Sequence, residues 1–316
     1  MSRPRTSRRW ASTLLVALVL LGCRREDASS AALAWDPAAF AEAPERPRAS
    51  VSLVEPGDEP RERLRYAARA PERELTIDLY QAMWGDAPML QLRLRWTGLA
   101  PDPDDGWRRT LFEVVDARMQ LPLDDADALE VATTRKIARG FEGVAGQVRA
   151  DDRGFDRVAQ TRGIPTRPNL DWLLDLAAVP LPEEPVGIGA VWTSARHFDE
   201  QVEGFDIGEP PSPTEPAPLT PIVETHRYTE LRRYALQRRE DSTLVIEVEA
   251  NLTPDDPARA SSSRGTATLE LDLADPLPRS ATIELIETAV VPGVDRPTEL
   301  RFRFVFGPAT TATGSD

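Results

Sequence analysis

Strict alternation of apolar and polar residues in the last third of the chain is the feature that most constrains its fold. Four segments place apolar residues at every second position: 244–252, 267–273, 281–285 and 300–306. A period of two puts all the apolar side chains of a strand on one face. Turn residues separate the segments after short intervals, so we expect an antiparallel meander with one wet face and one dry face.

The same alternation occurs earlier in the chain, at 75–79 and 90–96, and further strand-like segments follow at 107–120 and 131–150. Each strand buries only one side, so its dry face must pack against another element. The strands can close into a barrel, pack as a sandwich or curl around a helix. We therefore predict a mainly β fold, either a curved antiparallel sheet or a half-barrel meander, with one short central helix.

That helix is predicted near 169–178. Asn169 can cap its N-terminus, and Pro180 ends it. Apolar residues recur on one face at helical spacing: Leu170, Leu173, Leu174 and Ala177. The helix lies between two β-rich stretches of the chain.

The domain is predicted to span residues 61–306, with halves at 61–160 and 186–306. Between 208 and 221 the chain carries six prolines, a density that disfavours regular structure and favours an exposed loop. We expect residues 307–316 to form a disordered tail.

The N-terminus is typical of a targeting segment. It begins with four arginines within nine residues, and the uncharged apolar run 11–21 is too short for a lasting transmembrane helix. The stretch Leu20-Leu21-Gly22-Cys23 resembles the lipobox of bacterial lipoproteins. The resemblance implies a signal peptide over 1–22, cleavage between Gly22 and Cys23, a diacylglyceryl group on the Cys23 sulfur and a further acyl chain, such as palmitate, on the new amino group.

Charge and cysteine content agree with this assignment. Cys23 is the only cysteine, and removing residues 1–22 takes away four arginines and no acid, which changes the net charge from −14 to −18. So acidic a chain is repelled by anionic lipid and lacks the basic surface that broad nucleic-acid binding needs. We expect residues 23–60 to form the lipid anchor and a flexible tether. By resemblance to known sorting rules, Arg24 favours the outer membrane, facing the periplasm or the cell surface.

The sequence contains no recognised catalytic motif. Neither a Gly-x-Ser-x-Gly elbow nor a phosphate-binding loop is present, and one cysteine with two histidines is too small a set for a structural zinc site. His197 and His226 fit ordinary polar positions on strands, and the acidic run 102–106 fits a solvated turn. We predict no enzyme activity, no catalytic residue, no metal and no cofactor.

The combination of lipobox, tether, alternating strands and a central Leu-rich helix resembles the bacterial lipoprotein carriers of the LolA/LolB type. The segment 179–192 is also similar to one found in secreted bacterial lipoproteins of unknown function. In the carriers a curved half-barrel wraps a helical plug over an apolar cavity. The resemblance implies a plug or cavity lining formed by Leu170, Trp172, Leu173 and Leu174, with a lipid or other apolar molecule as ligand.

The alternative function is an envelope scaffold or protein-interaction module without a ligand cavity. In that case the acidic face and the proline-rich loop meet another envelope protein. Tryptophans either line a cavity or pack in the core, and core packing is the favoured interpretation: Trp84, Trp96, Trp107, Trp172 and Trp192.

Overall fold

A computed structural model describes most of the chain. The described residues are 34–36, 48–67, 72–82, 86–100, 107–119, 138–162, 170–207, 219–257, 260–289 and 298–309. Within these ranges the side chains at 155–157, 159–162, 170–173, 200–207 and 219–224 are outside the description. The predicted signal peptide, the lipid attachment at Cys23 and residues 310–316 of the predicted tail lie outside the described residues. The predicted start of the tail at residue 307 is wrong, because Gly307 and Pro308 continue the last strand and pair with Thr76 and Leu75.

The described residues form one sheet of twelve strands and two short helices, of which the first is a single turn at 138–141. The strands are β1 (Ser50–Glu55), β2 (Arg73–Gln81), β3 (Leu90–Gly98), β4 (Arg108–Met119), β5 (Ala145–Asp151), β6 (Gly154–Arg162), β7 (Val191–Ile207), β8 (Leu219–Glu240), β9 (Thr243–Pro254), β10 (Ser262–Asp272), β11 (Ser280–Ala289) and β12 (Thr298–Pro308). The longer helix, α1, is Leu170–Ala177, which agrees with the predicted position.

All strand pairs are antiparallel, in the order β1-β7-β8-β9-β10-β11-β12-β2-β3-β4-β5-β6. Two meanders, β2–β6 and β7–β12, are joined where β12 pairs with β2. The two β-rich stretches seen in the sequence therefore belong to one continuous curved sheet, with β1 at one edge and β6 at the other. The predicted fold class, a mainly β curved antiparallel sheet with a short central helix, is confirmed.

The alternation has the expected consequence for the core. The side chains on the inner face of the sheet pack together into one buried core. The largest of them are Trp96, Trp192, Tyr234, Phe112, Phe304, Phe306, Leu75, Ile77, Leu92 and Leu94. Trp192 stacks on Tyr234 with ring centroids 5.5 Å apart, and its indole N–H donates to the Pro180 carbonyl at 2.8 Å. Trp96 and Trp192 are thus core residues.

One end of the sheet is covered by irregular backbone. We call it the closed end; it is where β7 begins and β8 ends. The segment 61–67 and the segment 178–190 cross it, joined by an isolated β-bridge between Glu62 and Val186. The Tyr66 hydroxyl donates to the Val179 carbonyl at 2.8 Å. These segments connect the two edges of the sheet, and within the described ranges the edge strands β1 and β6 do not pair with each other.

The predicted tether boundary at residue 60 is wrong. Residues 50–55 form β1, which pairs with the start of β7, and the Gly57 backbone packs against segment 187–190. Val51 and Leu53 alternate with polar residues and contact the core, but the strand is short and is followed closely by Pro56. The prolines around it led us to predict a tether, whereas an edge strand needs no second neighbour and tolerates such flanks.

The proline-rich loop is shorter than predicted. Strand β8 already begins at Leu219, and Pro221 stands in register with Phe205 of β7. Proline is tolerated in this position because no second strand of the described chain pairs with β8 there, and its pairing with β9 starts only at Tyr228. Residues 199–207 and 219–227 therefore form a two-stranded ribbon that extends past the rest of the sheet. Residues 208–218 lie outside the described residues.

A buried carboxyl group lies at the closed end in the β10–β11 turn. Asp275 is 1% exposed, and its Oδ2 lies 3.0 Å from Nε of Arg73 at the start of β2. Its other oxygen accepts a hydrogen bond from the Leu277 backbone N–H at 3.0 Å. Burial raises the pKa of Asp275 to about 6, although the Arg73 guanidinium opposes the shift.

This pKa makes folding stability depend on pH. The folded chain holds a proton on Asp275 that the unfolded chain releases near pH 4, so between about pH 4 and pH 6 the free energy of unfolding should fall as pH rises. The contribution lost is about 3 kcal/mol. We expect Asp275→Asn to remove this slope. Urea unfolding at several pH values should then show that the free energy of unfolding of wild type, minus that of the variant, decreases between about pH 4 and pH 6. Parallel curves for the two proteins would contradict it.

Candidate functional site

The end opposite the closed end, which we call the open end, is not uniformly packed. Inner-face residues of β9 and β10 that would be buried in the middle of the sheet are only half-buried here, among them Ala250, Leu252 and Ala267. Two small adjoining cavities lie against this surface, each of about 10 Å³. Leu176 of α1 lines both of them. We refer to both together as the open-end recess.

The recess has a mainly apolar lining, with five polar or charged residues among thirteen. Its walls are Leu176, Glu230, Arg232, Val248, Ala250, Asn251, Leu252, Ser263, Gly265, Thr266, Ala267, Ile283 and Leu285. Toward the closed end the inner-face positions of the same two strands carry larger side chains, such as Ile246 and Leu269, which are fully buried. The recess therefore exists because small residues replace large ones on the inner face near the open end.

Position 265 needs a glycine because of the close approach of two strands, and not only because a small residue leaves space for the recess. A Cβ atom built on Gly265 would lie 2.6 Å from the Glu284 carbonyl oxygen of β11, which is closer than real Cβ contacts. Glycine therefore allows β10 and β11 to approach each other at this point. The alternation of β10 is interrupted here for a steric reason.

Helix α1 closes one side of the recess. Leu174, one of the four predicted plug residues, is fully buried in the core, as is Ala177. The side chains of Leu170, Trp172 and Leu173 are outside the description, so their role as plug or cavity lining stays a prediction. Leu176, which we did not select from the sequence, is the α1 residue that lines the recess among the described side chains of the helix.

Four charged side chains join α1 to the inner face of β7 and β8. Asp175 of the helix forms ion pairs with Arg196 of β7 and Arg232 of β8. Glu230, also on β8, pairs with the same two arginines. The side chains are between 5% and 19% exposed, so the cluster is shielded from water and its charges balance.

Arg232 also completes the backbone of the helix. Its Nη1 donates to the Asp175 carbonyl at 2.9 Å and to the Leu176 carbonyl at 3.4 Å. The last carbonyls of a helix have no partner within the helix and carry partial negative charge, so a cation at this position satisfies both needs. Burial alone would lower the pKa of Arg232, but the carboxylates of Glu230 and Asp175 outweigh it and hold the pKa above its ordinary value.

The cluster was missed in the sequence although a signal for it exists. On β7, Trp192, Ser194 and Phe198 are buried, and Arg196 lies between them at an inward position. On β8 two charged residues, Glu230 and Arg232, occupy inward positions between buried tyrosines. Charged residues at positions where the alternation requires apolar ones are the pattern that indicates a buried ion-pair cluster.

The two histidines lie on neighbouring strands, His197 on β7 and His226 on β8, three register positions apart. Exposed His197 places Nδ1 2.9 Å from the Thr229 hydroxyl oxygen on the neighbouring strand, and His226 stands in register with Glu200 on the ribbon. Within the ranges given above, no group of three His, Cys, Asp or Glu residues could hold a metal ion. No helix among these residues is long and apolar enough to cross a bilayer.

Comparison of the chain with protein-family models, curated proteins and solved structures finds no match. The likeness to lipoprotein carriers therefore rests on the features of the chain itself.

Proposed function

We propose that the protein is a non-enzymatic bacterial envelope lipoprotein, held at the outer membrane through acylated Cys23, that binds a lipid or other apolar ligand at the open end of its curved sheet. The observation that carries the ligand proposal is the open-end recess. There the apolar inner face is only half-buried, and small residues leave space beside α1, which Asp175 joins to β7 and β8 through ion pairs.

The recess is closed to large ligands in the described conformation. Each cavity of about 10 Å³ has room for about one water molecule, far less than an acyl chain needs. Entry of a chain requires α1 to move away from β9 and β10, taking Leu176 with it. A ligand that binds only this open state would shift the population toward it. The ion-pair cluster of Asp175, Arg196, Glu230 and Arg232 stabilises the closed state.

A second candidate function is a protein-interaction module, which the β7–β8 ribbon favours. The ribbon has nine residue pairs beyond the last pair with β9, and an isolated two-stranded hairpin is marginally stable in water. Residues 199–227 contain seven acids and one arginine, so a basic protein surface would complement them. If the protein is an interaction module, the inner face of the sheet does not need to bind a ligand.

Two measurements on protein isolated from membranes test the proposal. Membrane fractionation of Cys23→Ala should find the chain released or unprocessed, because the thioether cannot form. Native mass spectrometry of the acylated wild-type chain should find an additional non-covalent lipid mass. Unchanged processing and retention of Cys23→Ala would contradict the anchor. An acylated chain without any bound lipid, recovered in a crosslinked complex with an envelope protein, would favour the interaction module instead.

A further inference from the structure

The charge balance of the ion-pair cluster depends on where helix α1 lies. Arg196, Glu230 and Arg232 belong to strands of the sheet, and the fourth member, Asp175, belongs to the helix. Within the described residues, the carboxylates that pair with the two arginines are those of Asp175 and Glu230. The cluster is therefore balanced while α1 is in place, whereas the sheet by itself holds two arginines and one carboxylate.

Arg232 has more partners on the helix than on the sheet. Its Nη2 lies 3.4 Å from Asp175 Oδ2, and its Nη1 donates to the carbonyls of Asp175 and Leu176. On the sheet it pairs with Glu230, whose Oε1 lies 2.7 Å from Nη2. Movement of α1 away from the sheet withdraws the three helix oxygens together. A buried charge that loses its partner is strongly unfavourable, so water or another anion must take their place.

The cluster borders the same space that an apolar ligand would fill. Arg232 lines one of the two cavities, Glu230 lines the other, and they are the charged residues among the thirteen that form the walls. Leu176, which follows Asp175 directly, lines both cavities. A neutral apolar molecule in the recess would exclude water from the arginines and offer them no acceptor. A molecule with an anionic end would supply the acceptor that the helix withdraws.

We propose that the ligand of the open-end recess is a fatty acid, whose carboxylate takes the place of the Asp175 carboxylate on Arg196 and Arg232. This inference rests on the proposed function, the binding of an apolar ligand in the recess. Both carboxylate oxygens of Asp175 accept hydrogen bonds from Arg196, in the paired geometry that a guanidinium forms with a carboxylate. A ligand carboxylate restores the same charge and the same two acceptor oxygens. Its acyl chain then lies in the recess.

The test uses the full acylated chain in phosphatidylcholine vesicles and two photoactivatable probes of equal chain length. One probe is a diazirine fatty acid and the other is the corresponding diazirine fatty alcohol. Mass spectrometry measures how much of each probe is crosslinked to recess peptides around Ala250 and Ala267. The acid-to-alcohol ratio is compared between variants in the same vesicles, so differences in how the probes partition into lipid cancel.

Two variants should change this ratio in opposite directions. Asp175→Asn/Arg196→Gln removes one arginine and one carboxylate, so that Arg232 and Glu230 stay paired wherever α1 lies. We expect the ratio to fall about 10-fold while labelling by the alcohol persists, because the charge-assisted hydrogen bonds to the ligand are lost. Glu230→Gln instead leaves both arginines without a carboxylate on the sheet once the helix moves, so the ratio should rise.

The matched control is Arg233→Gln/Glu249→Gln, which removes an exposed pair of opposite charges between β8 and β9. Its ratio should equal that of wild type. Equal ratios in wild type, Asp175→Asn/Arg196→Gln and Glu230→Gln would overturn the fatty-acid proposal and leave the recess as a site for neutral apolar molecules. If the double variant takes up neither probe, an unchanged ratio in Glu230→Gln alone overturns it. Absence of recess labelling by both probes in wild type would contradict the proposed function itself.

Discussion

Arg232→Met is expected to lower the free energy of unfolding by about 3–5 kcal/mol, because it removes one partner of a buried ion-pair cluster. Methionine preserves much of the side-chain volume but makes no hydrogen bonds. Glu230 and the helix carbonyls of Asp175 and Leu176 lose a donor that is only 5% exposed. Urea unfolding monitored by circular dichroism measures the change.

The control for this prediction is Arg233→Met, one residue further along β8 on the opposite face. Arg233 is 48% exposed and lies 4.0 Å from Glu249, so its loss should cost less than about 1 kcal/mol. Adding Glu230→Gln to Arg232→Met should recover part of the loss, because it removes a carboxylate left without its second arginine. Equal effects of Arg232→Met and Arg233→Met would show that the cluster does not hold α1 against the sheet.

Ala267→Phe is expected to abolish binding of the apolar ligand. Ala267 lies on the inner face of β10 and lines the recess, so a phenyl ring there occupies the space that a ligand would take once α1 moves. The matched control is Thr268→Phe, since Thr268 is the next residue of the same strand and is exposed on the outer face. Native mass spectrometry should find the lipid mass in wild type and Thr268→Phe but not in Ala267→Phe.

Overpacking by the new ring costs about 1–3 kcal/mol, so folding of Ala267→Phe must be verified by its thermal unfolding. Ala267→Leu adds less volume and serves as a second variant. Partial loss of the lipid mass is expected for leucine and complete loss for phenylalanine. Undiminished lipid in a folded Ala267→Phe protein would place the ligand elsewhere.

Much of the sheet could be predicted because its strands follow one simple rule. Strands β2, β3 and β9–β12 each have a dry face of large apolar residues, and packing requires those faces to meet. Helix α1 was predictable for the same reason, since its apolar residues recur at helical spacing. The order of the strands was not predictable, because pairing of β12 with β2 joins parts of the chain more than 200 residues apart.

The parts that could not be predicted depend on contacts over long distances along the chain. Strand β1 is short, and only its pairing with β7 defines it. The inner face of β7 and β8 carries Arg196, Glu230 and Arg232, which obscure the alternation and become intelligible only beside Asp175. The recess arises from Ala250 and Ala267, which are ordinary inward residues until their half-burial is known.

Photocrosslinking of a diazirine fatty acid to the full acylated chain tests the central proposal most directly. The proposal predicts that crosslinked peptides map to the open-end recess, around Leu176, Ala250 and Ala267. Unlabelled fatty acid should compete for this labelling, and Ala267→Phe should lose it while Thr268→Phe retains it. Labelling that maps to other surfaces, or that is the same in Ala267→Phe and wild type, would contradict an apolar ligand site at the open end.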